Sequence, residues 1–432
     1  MANPKAVPEE FLHFIWENRL FFPQNLHTIK GEPLEILNTG RRNTNSGPDF
    51  FNAKINLGGT IWAGNIEIHK KASDWDKHNH ASDKAYSNVI LHAVEQADKQ
   101  IYRDNNTEIA TLVLKWPEQF TMNYQKLLEA KTWIGCQEEF HKIDPVVLRL
   151  GFNRLMIERL EEKTSEIVHC LEQNQHNWNE TFYQMLARMF GFKTNAAPFE
   201  LLARTVPIQL LAKHKNNLFQ LEAMLFGASG LLNEELFGDH YFLQLRKEYG
   251  FLAKKYKLGM VESHLWKFMR MRPVNFPTIR ISQLARLIYR SHGLFAKVID
   301  CSKLNELKKL FEVKASEYWD SHYRFNRPAP VCHAKELGEN SVNTLIINVV
   351  IPFLFVYGEK QNQHHLKNRA LDFLEDLPPE NNAVIRKWEE LGVQVRSAFE
   401  TQALLQLKNR HCDKKKCLSC TIGNKLVKSL PI

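Results

Sequence analysis

Apolar and polar positions follow two different rhythms along this chain. In residues 50–57, Phe51, Ala53, Ile55 and Leu57 interleave with Asn52, Lys54 and Asn56, which is the period of a half-buried strand. Gly58-Gly59 follows as a hairpin signal, so residues 60–69 are predicted to return as its partner strand. Residues 34–37, 88–94 and 108–116 read as further strands, and residues 8–20, opened by Pro8, read as a helix. A polar, histidine-rich segment, residues 70–87, lies between the third and fourth strand runs. Beyond about Lys142, apolar residues recur three and four apart in residues 148–171, 180–190, 198–213, 218–228, 242–256, 281–292, 366–374 and 382–391. That spacing predicts amphipathic helices. The expected class is therefore α+β: an α/β region with a mixed sheet over residues 1–142, an α-helical region over 143–330, and a helical C-terminal region over 331–432. No repeat period marks a solenoid.

Composition narrows the function classes. With 432 residues, 44% hydrophobic and 24% charged, the chain can bury a substantial core, which excludes disordered and collagen-like chains. The longest apolar run, residues 345–357, is interrupted by Asn348 and Pro352 and falls short of the roughly 20 residues needed to span a bilayer. The N-terminus mixes Glu9, Glu10, Glu17 and Arg19 with its apolar residues and lacks a signal-peptide layout. A cytoplasmic location without a membrane partner is expected. The formal charge of +9 is uneven: residues 1–142 hold 16 basic and 18 acidic residues, whereas residues 396–432 hold 8 basic and 2 acidic. A polyanion-facing surface in the later part, and hence a nucleic-acid partner, is expected. A protein partner is left open.

The candidate chemistry begins at Gly47-Pro48-Asp49-Phe50, at the start of one predicted strand, and Glu67-Ile68-His69-Lys70, at the end of the next. A hairpin brings such ends together, so Asp49 and Glu67 are expected side by side, with His69 on the same face as Glu67. Paired carboxylates suit magnesium or manganese, which polarise a phosphodiester and activate water. The segment resembles the PD-(D/E)xK nucleases. That resemblance implies a restriction-endonuclease-like mixed sheet, with Pro48-Asp49 and Glu67 as the acidic pair and Glu10 or Glu17 as a helix carboxylate. The superfamily's lysine is replaced by His69, which can still orient or deprotonate water near neutral pH. Lys70 would point to the opposite face, and Lys54 would reach the site only as a migrated lysine.

Two clusters of softer ligands add alternatives. In the segment 70–87, His78, His80 and Asp83 could join His69 as a zinc site of a hydrolase, contact phosphate, or form a loop over the carboxylates. Near the C-terminus, Cys412, Cys417 and Cys420 stand at C-x4-C-x2-C spacing, which suits a zinc knuckle or an iron–sulfur cluster. The fourth position is open to His411, Cys332, His333 or Cys301. Lys414, Lys415 and Lys416 lie inside this loop, where they offset thiolate charge and can touch phosphates. Arg270, Arg272 and Arg280 flank Pro273, Asn275, Phe276 and Pro277, a rigid link that could grip a nucleic-acid backbone.

GPDF, GNIEIH, DWDKHNHASDKAYSNVILHAV, RPVNFPTIRISQLA and CDKKKCLSCTIG occur together. On these motifs the chain is identified as a member of an uncharacterised bacterial family, DUF family 2851, for which the resemblance implies no activity. The residues themselves lead to a divalent-metal-dependent nucleic-acid hydrolase using Asp49, Glu67 and His69. The alternatives are an inactive nucleic-acid-binding or scaffold protein with a structural metal site, and a zinc-dependent hydrolase using the histidine-rich loop.

Overall fold

The computed structural model describes residues 7–233, 238–291 and 293–429. The chain divides into two compact units, residues 1–151 with 390–392 and 407–432, and residues 152–389 with 393–406. Residues 331–432, read from sequence as one region, are thus shared between the units. The α+β class is observed, with a mixed sheet at the N-terminus followed by helices.

In the first unit, helix α1 (Glu9–Glu17) precedes strands β1 (Leu34–Asn38), β2 (Arg41–Arg42), β3 (Phe50–Leu57) and β4 (Thr60–Lys71). A short helix α2 (Asp74–Lys77) leads to β5 (Val89–Gln96) and β6 (Thr111–Val113), and helix α3 (Glu118–Glu129) follows. The sheet order is β1-β3-β4-β5-β6, with β2 also pairing on β3. The pairs β1–β3 and β3–β4 are antiparallel, whereas β4–β5 and β5–β6 are parallel. The predicted strand 108–116 contracts to β6, because Ile109 and Glu108 turn away to bond Ile101 and bridge Tyr102.

One face of the sheet, including Phe50, Ala53, Ile55, Ile66, Ile68, Leu91 and Ala93, shares a core with Phe11 and Ile15 of α1 and with Phe120, Tyr124 and Leu127 of α3. Leu418 and Val427 belong to the same core. The C-terminal helix Thr421–Val427 is held at its end by Asn123, whose Nδ2 donates to the carbonyls of Leu426 and Val427, both at 3.2 Å, and of Ser429 at 2.8 Å. These are the carbonyls a helix end leaves without intrahelical partners. The other face carries a smaller apolar cluster of Ala72, Trp75, Tyr86, Val89, Val94, Ile101 and Ile109.

The second unit is helical. The predicted helix 198–213 is two helices, Ala196–Thr205 and Ile208–Lys213, because Pro207 cannot continue the first. The apolar run 345–357 is part of a longer element. Glu339–Lys360 is one 22-residue helix, by length and composition apolar enough to cross a membrane, with 72% of its most apolar window buried inside the protein. Asn348 and Pro352 do not break it: Asn348 Nδ2 donates to Thr344 O at 2.9 Å, and Ile346–Val350 is π-helical just before Pro352. Elsewhere in this unit the carboxyl of Glu222, 2% exposed, accepts hydrogen bonds from Tyr241 Oη at 2.7 Å and Ser282 Oγ at 2.6 Å. Burial raises its pKa, opposed by those hydrogen bonds.

Candidate functional site

The site is built by an irregularity in the β3–β4 hairpin. From Leu57↔Thr60 to Ala53↔Gly64 the pairing is regular, but Phe50 pairs with Ile66. Asn52, at φ 58°, is the bulged residue. In the unshifted register Asp49 would oppose Ile68 and point to the face opposite Glu67. The one-residue slip puts Asp49 across from Glu67, because side-chain direction alternates along a strand. The two carboxylates are interlocked: Asp49 N donates to Glu67 Oε2 at 3.1 Å, and Ile68 N donates to Asp49 Oδ2 at 2.9 Å.

The parallel pairing of β4 with β5 requires a crossover connection, and residues 72–88 supply it. Trp75, 1% exposed, anchors this segment, and Tyr86 stacks on His80 with ring centroids 3.8 Å apart. His78 and His80 are thereby brought to His69. Donor nitrogens of His69, His78 and His80 all lie within 4.8 Å of one another. Glu67 Oε1 is 3.5 Å from His69 Nε2 and 3.3 Å from His80 Nε2. Nε2 of His80 is buried and makes no hydrogen bond. On the far side of the His69 ring, Nδ1 is 2.8 Å from His92 Nε2, and His92 is the register partner of Glu67 on β5.

Burial raises the Glu67 carboxyl to about 9, with the Asp49 charge adding to it. Burial, reinforced by the neighbouring imidazoles, lowers His69 to about 3. Burial and His80 do the same to His92, and His80 itself is lowered mainly by burial. Burial thus favours the neutral form of His69, His80 and His92, the form that offers a lone pair to a metal. Three imidazoles beside two carboxylates form a mixed nitrogen and oxygen set, suited to zinc, manganese or iron better than to magnesium.

Two residues absent from the sequence expectation complete the site. His13 Nε2 lies 3.2 Å from Asp49 Oδ2. Glu9, one helical turn earlier, is half-buried; burial raises its pKa, with His13, Asp49 and His78 acting on it electrostatically. Their four-residue spacing on one helix face was the available signal. Glu10 and Glu17, expected as the helix carboxylate, are exposed, and Glu17 Oε2 instead lies 3.8 Å from Arg42 Nη1. Asp83, expected as a ligand, is exposed and caps the turn at Lys84–Tyr86 by accepting from Ala85 N at 2.9 Å. Lys54 is exposed on β3 between buried Ala53 and Ile55, and Lys70 is half-buried near the end of β4.

The expected phosphate contacts separate. Arg270 and Arg272 are exposed. Arg280 is 4% exposed, bonded to Gln283 Oε1 at 2.9 Å, Asn275 Oδ1 at 2.6 Å and Ser341 Oγ at 3.2 Å, with its guanidinium 4.7 Å from the Phe192 ring centroid. It is an internal strut rather than a surface cation. Lys414, Lys415 and Lys416 are exposed and belong to the first unit, where residues 407–432 carry seven basic residues and one acidic residue.

The three C-terminal cysteines have a fourth neighbour. None of the seven cysteines is in a disulfide. Burial raises Cys136 to about 12 and Cys417 to about 11, and it raises Cys412 as well. Cys420 and Cys417 also act electrostatically on Cys136, and Cys420, Cys136 and Cys417 on Cys412, so the four thiols share one locality. Cys301, Cys332 and His333, considered for the fourth position, fall in the second unit. His411 is buried just before Cys412.

The family described as "Protein of unknown function (DUF2851)" matches residues 9–383, and the chain belongs to it. No curated protein and no solved structure matches the chain.

Proposed function

We propose that this member of the DUF2851 family is a divalent-metal-dependent phosphodiesterase acting on nucleic acid, with Asp49, Glu67, His69, His78 and His80 around the cation. The observation that carries the reading is the convergence of three imidazole donors within 4.8 Å of one another, with His69 and His80 beside Glu67, itself interlocked with Asp49. The order of helix, antiparallel strands, crossover and parallel strand, with acidic residues before β3 and on β4, supports a PD-(D/E)xK-like nuclease in which His69 stands at the lysine position. A divalent cation held there supplies Lewis-acid polarisation of a phosphoryl oxygen and lowers the pKa of water. His92 fixes the His69 ring by its contact at Nδ1, as second-layer partners of metal-binding histidines do. His13, beside Asp49, is placed to hold or move a proton at Nε2. The exposed Lys414, Lys415 and Lys416 favour a polyanionic substrate.

Purified full-length protein incubated with DNA or RNA should cut in the presence of manganese or zinc. Glu67→Gln, which keeps an oxygen acceptor for Asp49 N, should lower the rate at least about a hundredfold. Cutting that is unchanged in Glu67→Gln overturns the assignment. Nucleic-acid binding without cutting under every metal would favour the inactive reading. Hydrolysis of a small phosphodiester but of no polymer would favour the small-substrate hydrolase, the reading that the histidine convergence also supports.

A further inference from the structure

We infer that Cys136, Cys412, Cys417 and Cys420 together bind an iron–sulfur cluster, which fastens residues 407–429 to the rest of the first unit. Cys136 lies 276 positions before Cys412, so no local motif announces it.

The backbone builds the binding loop. The π-helical segment Leu407–Cys412 ends at Cys412. Lys415 N then donates to Cys412 O at 3.1 Å and Lys416 N to His411 O at 2.9 Å, reversing the chain. Cys417–Ser419 forms a single 3-10 turn, and Cys420 caps the helix Thr421–Val427. Two glycines allow the close approaches this loop and its partner need. A Cβ on Gly423 would lie 2.3 Å from Cys417 O, and one on Gly135, next to Cys136, would lie 2.4 Å from Leu127 O.

Side chains lay the loop on the segment that leads to Cys136. Lys415 Nζ donates to Leu128 O, and Lys408 Nζ sits 5.3 Å from the Trp133 ring centroid. Cys136 and Cys417 pack against the same apolar core. With Cys412 and Cys420 flanking Cys417 in one short loop, the four thiols make a soft-ligand site.

Spacing decides between metals. Cys412, Cys417 and Cys420 stand at C-x4-C-x2-C with the fourth cysteine far away in sequence, the interval at which plant-type iron–sulfur centres take three of their four thiolates. Lys414, Lys415 and Lys416 offset the negative charge of such a cluster.

The test is purification under anaerobic conditions, with iron, acid-labile sulfide and zinc measured per chain. Iron and sulfide in equal amounts are expected, with a visible absorption band that bleaches on reduction. Cys136→Ser should lose at least fivefold of the iron, and Cys332→Ser should lose none. Zinc in place of iron, no metal at all, or full iron in Cys136→Ser overturns the inference. A readout on unaltered protein covers the case in which Cys136→Ser does not fold. Alkylation of freshly purified native protein should label exposed Cys332 at once, and the four cluster cysteines only after oxidation and chelation; labelling of all five together overturns the inference. The proposal is independent of the hydrolase reading, since Glu67→Gln should retain all of its acid-labile sulfide.

Discussion

On the proposed reading Asp49 has two tasks that substitution can separate. Its Oδ2 accepts from Ile68 N at 2.9 Å, tying β3 to β4, and lies 3.2 Å from His13 Nε2. The side chain is 22% exposed. Asp49→Asn offers an amide oxygen at the same reach, so the Ile68 N–H keeps an acceptor and only the charge assistance is lost, about 1 kcal/mol or less. Asp49→Ala removes the acceptor and strands an N–H inside the sheet, at about 1–3 kcal/mol. Against a typical stability of about 5–15 kcal/mol both variants fold. Cation binding responds differently, because both substitutions remove the same negative charge. Each should weaken manganese binding at least tenfold, about 1.4 kcal/mol. Urea unfolding followed by intrinsic fluorescence gives the first quantity, and isothermal titration with manganese gives the second. The expected pattern is Ala below Asn in stability, with the two equal in metal affinity. Asp49→Asn binding manganese as tightly as the unaltered protein would refute the reasoning. So would equal stabilities of Asn and Ala, which would deny the carboxylate its place in the hairpin.

Two further outcomes follow from burial and capping. Burial raises the Glu222 pKa above 4.5 in the folded chain, so its contribution is fully present below about pH 4.5 and is lost as pH rises through the folded value. Glu222→Gln should therefore gain in melting temperature relative to wild type between pH 5 and pH 8, and parallel curves would contradict this. Asn123→Ala removes the donor that binds three terminal carbonyls. It should destabilise the first unit by about 1–3 kcal/mol and raise amide exchange in Thr421–Val427; unchanged exchange there would refute the capping role.

What could be read from sequence depended on the range of the interaction. The hairpin of β3 and β4 was legible because a period of two and a Gly-Gly turn are local, and Leu218–Ala228 was legible because its helical spacing is complete within its own span. The pairing of Asp49 with Glu67 was anticipated from strand ends, but the bulge at Asn52 that turns both to one face was not, since alternation alone assigned Phe51 rather than Phe50 to the buried side. His78 and His80 were visible as a dense segment, yet their arrival at His69 follows from a parallel crossover, a choice the segment does not encode by itself. Glu9 and His13 were passed over because the nuclease resemblance directed attention to Glu10 and Glu17. Cys136 was missed for a plainer reason: a single cysteine has no spacing until the fold supplies its neighbours.

The assignment of residues 407–429 to the first unit bears on how the chain is made. Phe120, Tyr124 and Leu127 share their core with Leu418 and Val427, so on a growing chain they emerge nearly three hundred residues before their cover. At about 5–20 residues per second that interval is roughly 15–60 s, long enough for the second unit to fold while the first still displays an apolar surface. Nascent chains are therefore expected to need their apolar surface shielded during translation. A chain truncated before residue 407 should leave the core surface of Phe120, Tyr124 and Leu127 without its cover.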